Sequence, residues 1–167
     1  MKISYNWLND YLNLTTSPEQ TSEILTDIGL EVEKVETVEA IKGGLQGLVI
    51  GEVLEAVKHP GADTLKLTKV NIGSETLSIV CGAPNVREGL KVVVATVGTI
   101  LNTEDGETFK IKKSKIRGEE SFGMICGEDE IGLGKDGSGI MELDSNAKVG
   151  TAAADFFDLK NDTVFEI

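Results

Sequence analysis

Apolar residues recur at two different spacings along this chain, and the change between them marks its organisation. Near the start the spacing is helical. Tyr5 to Leu12 reads as a short helix that buries Trp7, Leu8 and Leu12. A second helix is expected to begin at Ser17, which can cap it. Pro18 suits the first helical position, and Gln20 completes a capping-box spacing. Ile24, Leu25 and Ile28 give this helix one apolar face, and Gly29 fits the stop. From Leu30 to Val38 apolar and acidic positions alternate, which predicts a strand leading out of a small α/β unit. Lys42 to Gly47 reads as a linker.

The middle of the chain carries strand patterns only. Leu48 to Val57 is a strand containing Gly51, and Thr64 to Ile72 is the next. Its apolar set is Leu65 and Leu67, then Val70 and Ile72. This change of parity predicts a β-bulge near Thr68-Lys69. After a Gly73-Ser74 turn, Leu77 to Cys81 returns. Val92 to Val97 is a continuous apolar run of buried-strand length. Phe109 to Arg117 and Phe122 to Cys126 complete the set. Short strands, glycine turns and no long helix predict a small Greek-key barrel. Five principal strands are expected between about 47 and 127, with Leu67, Val70, Ile79, Val92, Val94 and Met124 inside. Val149 to Phe157 reads as helix and Thr163 to Ile167 as strand. Ending on an apolar strand pattern reads as truncation.

A length of 167 residues fits one or two domains, and 40% hydrophobic residues suffice for a packed core. No apolar run approaches the roughly 18 residues of a membrane span, and no secretory leader pattern is present. Cys81 and Cys126 form no CxxC pair, so two reduced thiols in a cytoplasmic protein are expected. The net charge of −12 opposes polyanion binding. It is unevenly spread. Residues 1–39 carry two lysines against eight acids, and 152–167 one lysine against four. Residues 40–151 hold 13 basic and 16 acidic side chains and are close to balance.

Few residues point to chemistry. His59 is the single histidine and lacks partners at metal-ligand spacing. His59-Pro60-Gly61-Ala62-Asp63 reads as a turn, with a nucleic-acid contact as the alternative. Cys81-Gly82-Ala83-Pro84-Asn85-Val86 has the look of a nucleophile loop but offers no base within its reach. A tight turn tied by Asn85 is expected instead. Lys110, Lys112, Lys113, Lys115 and Arg117 form a row without an intervening acid. With Phe109 and Ile111 on one face and a parity slip between Lys112 and Lys113, all five face outward. Such a row suits a phosphate backbone; it equally suits a lysine-protected edge strand. Phe109 and Phe122 are the only aromatics of 40–151, too few for a base-stacking platform, so contacts to backbone and folded shape are expected.

The combination Ser78-Ile79-Val80-Cys81-Gly82-Ala83-Pro84-Asn85-Val86-Arg87, with the His59-Pro60 stretch before it and Lys115-Ile116-Arg117-Gly118-Glu119-Glu120-Ser121-Phe122-Gly123-Met124 after it, resembles the tRNA-binding OB-type module of several translation proteins. The start, Met1-Lys2-Ile3-Ser4-Tyr5-Asn6-Trp7-Leu8, and the end, Asp162 to Ile167, resemble the N-terminal region of the bacterial phenylalanyl-tRNA synthetase β-subunit family. The resemblance implies an α+β fold: a five-stranded OB-type barrel at 40–151 inserted into a partial α/β domain made of 1–39 and 152–167. It implies tRNA as partner, not DNA or a membrane. It also implies an α2β2 assembly with the synthetase α subunit and the remaining β-subunit domains, in the cytoplasm. Phenylalanine is attached with ATP and magnesium in that family, at a site in the α subunit. This region is expected to hold no cofactor and no catalytic residue. The expected RNA contacts are Lys110, Lys112, Lys113, Lys115 and Arg117, with Asn85, Arg87 and Ser121 nearby. A free-standing tRNA-binding cofactor, a methionyl-tRNA synthetase appendage and a purely structural interdomain module remain as alternatives.

Overall fold

The computed structural model describes residues 1–103 and 105–167. Its elements in chain order begin with β1 (Lys2–Ser4), α1 (Tyr5–Leu12), α2 (Pro18–Asp27), β2 (Lys34–Val38), β3 (Leu48–Lys58), β4 (Lys66–Asn71), β5 (Thr76–Cys81) and β6 (Lys91–Thr96). They continue with β7 (Ile100–Asn102), β8 (Thr108–Lys110), β9 (Ser114–Ile116), β10 (Glu119–Ser121), β11 (Gly123–Ile125), β12 (Glu142–Leu143), α3 (Ala153–Phe156) and β13 (Asp162–Glu166). They fall into two compact units, one of 1–40 with 160–167, the other of 41–159.

In the end unit the last strand lies between the first two, in the order β1-β13-β2, antiparallel throughout. Phe165 is fully buried beneath the Tyr5 ring, which meets it edge-on at 6.3 Å. Ser4 joins helix to sheet: its Oγ caps α1 by accepting from the Trp7 N–H (2.9 Å) and donates to Asp162 (2.5 Å). The capping box at Ser17 and Gln20 forms as the sequence predicts. Gly29 ends α2 at φ +98, and the Leu30 N–H returns to the Leu25 carbonyl. Trp7 and Leu12, expected in the core, are instead exposed. The strand expected from Leu30 begins only at Lys34.

The other unit is a nearly closed barrel of five antiparallel strands in the order β11-β6-β3-β4-β5, with β11 also packing against β5. Val53, Val70, Ile79, Val92 and Val94 fill its interior. A second apolar layer lies outside β3 and β6, where Leu48, Ile50, Val93 and Ala95 meet Leu45, Cys126, Ile131 and Ala153. This double burial explains the unbroken apolar run of β6. It also gives two stretches a different place from the one expected. Lys42 to Gly47 is a turn whose Leu45 enters the core, rather than a bare linker. The end of the chain joins the end unit only from Lys160, because 152–159 packs in the outer layer: Ala152 bridges to Val49, and Phe156, Phe157 and Leu159 cover it. The helix there is confined to Ala153–Phe156.

An irregularity does fall beside Thr68-Lys69, but its extra residue is on the partner strand: the β3–β4 register shifts between the pairs Val53–Val70 and Glu55–Lys69, while β4 pairs with β5 without a break. Thr68 points inward, its hydroxyl donating to the Ile79 carbonyl (2.7 Å), while Leu67 is only half-buried. A satisfied buried hydroxyl thus replaces the apolar residue that parity required. Met124 is also only partly buried, in the outer layer. The interruption at Lys112-Lys113 is present, between β8 and β9.

Candidate nucleic-acid interface

OB barrels bind nucleic acid on the face of their second and third strands, flanked by the loops that follow strands one and four. Here those are β4 and β5, with 59–65 on one side and 97–122 on the other. The long 97–122 connection folds into two small hairpins, β7-β8 and β9-β10. Ile111 anchors it: this side chain is buried, and its backbone bonds to Gly98 and Thr99. Phe109 stays exposed, so the shared face expected for Phe109 and Ile111 does not exist; β8 ends between them.

The β9-β10 hairpin turns on Arg117 (φ +51) and Gly118 (φ +91), the paired left-handed conformations of a two-residue type I′ turn. It leans on β5. The Phe122 N–H donates to the Ser78 carbonyl (2.9 Å), and Ser121 Oγ accepts from the Val80 N–H (3.1 Å) while donating to the Gly123 carbonyl (3.2 Å). Lys115 reaches a groove shared with Val57, Leu67, Lys69, Ser78, Val80 and Phe122. Lys69 Nζ donates to Ser78 Oγ there (2.6 Å). A second depression, with Val80, Ile111 and Met124 in its wall, is rimmed by Lys110 and Lys112.

All five cations of the row are exposed. Lys113 is engaged: its Nζ lies 2.7 Å from Glu120 and 4.9 Å from the centre of the Phe122 ring. The hydrogen bond from Lys113 holds the Glu120 carboxyl below its usual range. Glu55, Glu119 and Glu120 line the same groove as Lys115 and offset its charge.

The remaining expected contacts have structural partners. Ser121 is 1% exposed and belongs to the barrel wall. Asn85 donates to the Ile140 carbonyl (2.8 Å) and accepts from the Ile140 N–H (3.0 Å), pinning the segment before β12. Arg87 makes a two-pronged contact with Glu142 at 3.0 Å on each side, and that hydrogen bond, ahead of one from Asn85, lowers the Glu142 carboxyl. The structure therefore gathers the five cations and Ser121 on one loop and places Asn85 and Arg87 in a separate set of contacts. Lys69, which the sequence analysis did not single out, shares the groove of Lys115; its signal was the outward parity of β4.

His59 is 2% exposed, with Nδ1 accepting from the Gly61 N–H (2.9 Å). It organises the 59–65 turn. Burial raises the thiols of Cys81 and Cys126, the latter to about 12. Among the described residues, no three His, Cys, Asp or Glu side chains could hold a metal ion.

Residues 48–152 match the family model described as "Putative tRNA binding domain". The chain belongs to this tRNA-binding domain family. Over its whole length it is 57% identical to the phenylalanine–tRNA ligase β subunit of Bacteroides thetaiotaomicron, and over 98% of its length 47% identical to that of Dickeya dadantii. It spans about a fifth of the length of these curated relatives. The solved C-terminal domain of Plasmodium vivax p43 is similar to this chain at a TM-score of 0.43 and 25% identity, over 62% of this chain and 56% of that one.

Proposed function

We propose that these residues form the tRNA-binding region of a phenylalanine–tRNA ligase β subunit. The observation that carries this reading is the match over the whole length of this chain, both units included, to subunits bearing that name. A free-standing tRNA-binding module would have no need of the end unit. The complete enzyme then attaches phenylalanine to its tRNA with ATP and magnesium, as a cytoplasmic α2β2 assembly, and this region lends it a surface for tRNA and not a reacting group. The cations placed on the 97–122 loop, beside the β4-β5 face, support the tRNA role.

A second reading, a structural module packed among synthetase domains, is favoured by the internal partners of Asn85, Arg87, Lys113 and Ser121. A tRNA titration over a salt series separates the two. Phosphate contacts carry a salt slope that grows with their number. Replacing Lys113 and Lys115 together by Ala is expected to weaken binding at low salt and flatten the slope by about one to two units. Equal affinity of parent and variant at every salt concentration would leave the row as edge protection and favour the structural module.

A further inference from the structure

The two helices of the end unit bury almost nothing. No side chain of α1 is buried, and Thr21 is the only buried residue of α2. Trp7 (56% exposed) and Tyr11 (71%), one turn apart, meet ring to ring at 5.1 Å. On α2, Ile24 (48%) and Ile28 (69%) repeat the same spacing. An eight-residue helix is too short to persist on its own hydrogen bonds, and apolar stripes at helical spacing are what such helices bury to become stable.

The charges specify what could cover these stripes. No cation lies between Lys2 and Lys34. Glu19, Glu23 and Asp27 run at four-residue spacing one position before Gln20, Ile24 and Ile28, so an acidic stripe flanks the apolar one. Like charges at that spacing weaken a helix, whereas a basic surface laid against them reverses the sign. A second copy of this chain would set acid against acid.

We infer that the Trp7–Tyr11 and Ile24–Ile28 faces dock on another domain of the same polypeptide, one presenting an apolar surface rimmed by Lys and Arg. The inference rests on the β-subunit reading: the curated relatives are about five times this length, which leaves ample polypeptide to supply the surface. Hydrogen exchange tests it, on the 167-residue chain and on the complete polypeptide. Amides of 5–12 and 18–27 exchange quickly in the first and slowly in the second. A Glu23→Lys, Asp27→Lys variant relieves repulsion within α2, so it leaves the short chain folded, yet it restores fast exchange in the complete polypeptide while barrel amides stay protected. Equal exchange of these helices in the two proteins overturns the inference. So does sedimentation of the short chain as a dimer with protected helices, which would make the occupant a second copy. The tRNA salt series is run on the same samples. Unprotected helices with retained salt-dependent tRNA binding sink the docking alone; protected helices without tRNA binding sink the tRNA role alone.

Discussion

Ser121 uses its hydroxyl twice, accepting from Val80 and donating to Gly123, and so fastens the cationic hairpin to the barrel wall. Ser121→Ala removes the acceptor of the half-buried Val80 N–H, a loss of about 1 kcal/mol. Its midpoint in urea is expected to fall, and tRNA affinity to fall with it although no charge has been removed. The sequence reading named Ser121 as a polar residue near the cation row; its hydrogen bond with Val80, 41 positions away, is a contact no local pattern spans. Thr68 misled in the same way, since a threonine between Leu67 and Lys69 carries no sign that its hydroxyl will meet the Ile79 carbonyl. Cys126 was legible: a thiol without partners in sequence is a buried thiol in the structure. Burial, then the charge of Glu130, raises it from an ordinary 9.0 to about 12. The unfolded thiol ionises near 9 and the folded one does not, so the stability it contributes is intact below that pH and lost as pH rises toward 12. Denaturant midpoints measured across this window should decline, less steeply in Cys126→Ala than in the parent.

The bounds of α1 and α2 were both legible, whereas the contacts that hold an element to distant residues were not. Helix α2 carries its own instructions, a capping box at one end and a glycine stop at the other. Helix α1 does not; its cap depends on Asp162, which accepts from Ser4 Oγ and from the Asn6 N–H (3.0 Å), more than 150 residues away in sequence. Asp162→Ala should therefore free both groups and loosen α1 from β13, at a cost of about 1–2 kcal/mol by analogy with lost caps. Amide exchange of residues 5–9 would report it, with the barrel as an internal control. Unchanged exchange there would show that α1 is held by its remaining ties, the Tyr5–Phe165 contact and the Asn6 side chain on the Asn161 carbonyl. The cationic row was legible as a row of outward residues, and so were Glu119 and Glu120 just after it as charges that partly neutralise it; which cation Glu120 pairs with was not. Glu120 reaches Lys113 across the β9-β10 hairpin, and that hairpin depends on a turn conformation at Arg117-Gly118.

At the scale of the molecule, β13 pairs with β1 and β2, so residues from both ends of the chain make one sheet, and the barrel lies between them in sequence. The charge contrast between ends and middle suggested two units with 152–159 at the ends; in the structure 152–159 packs in the outer apolar layer of the other unit, and its apolar pattern suits either place. Deleting 160–167 removes the central strand of the end unit and nothing from the barrel. One thermal transition, that of the barrel, should survive, and the signal of Trp7 should become that of an unfolded chain; survival of native Trp7 fluorescence would show that the end unit does not need β13. The same arrangement bears on how the polypeptide is made. Residues emerge from the ribosome in order, so β1 and β2 are present long before β13, and the barrel is finished first. Until then two unpaired strand edges stand open, a recognised risk for aggregation in nascent chains. The eight acids among the first 39 residues give this waiting segment the self-repulsion that keeps such edges apart.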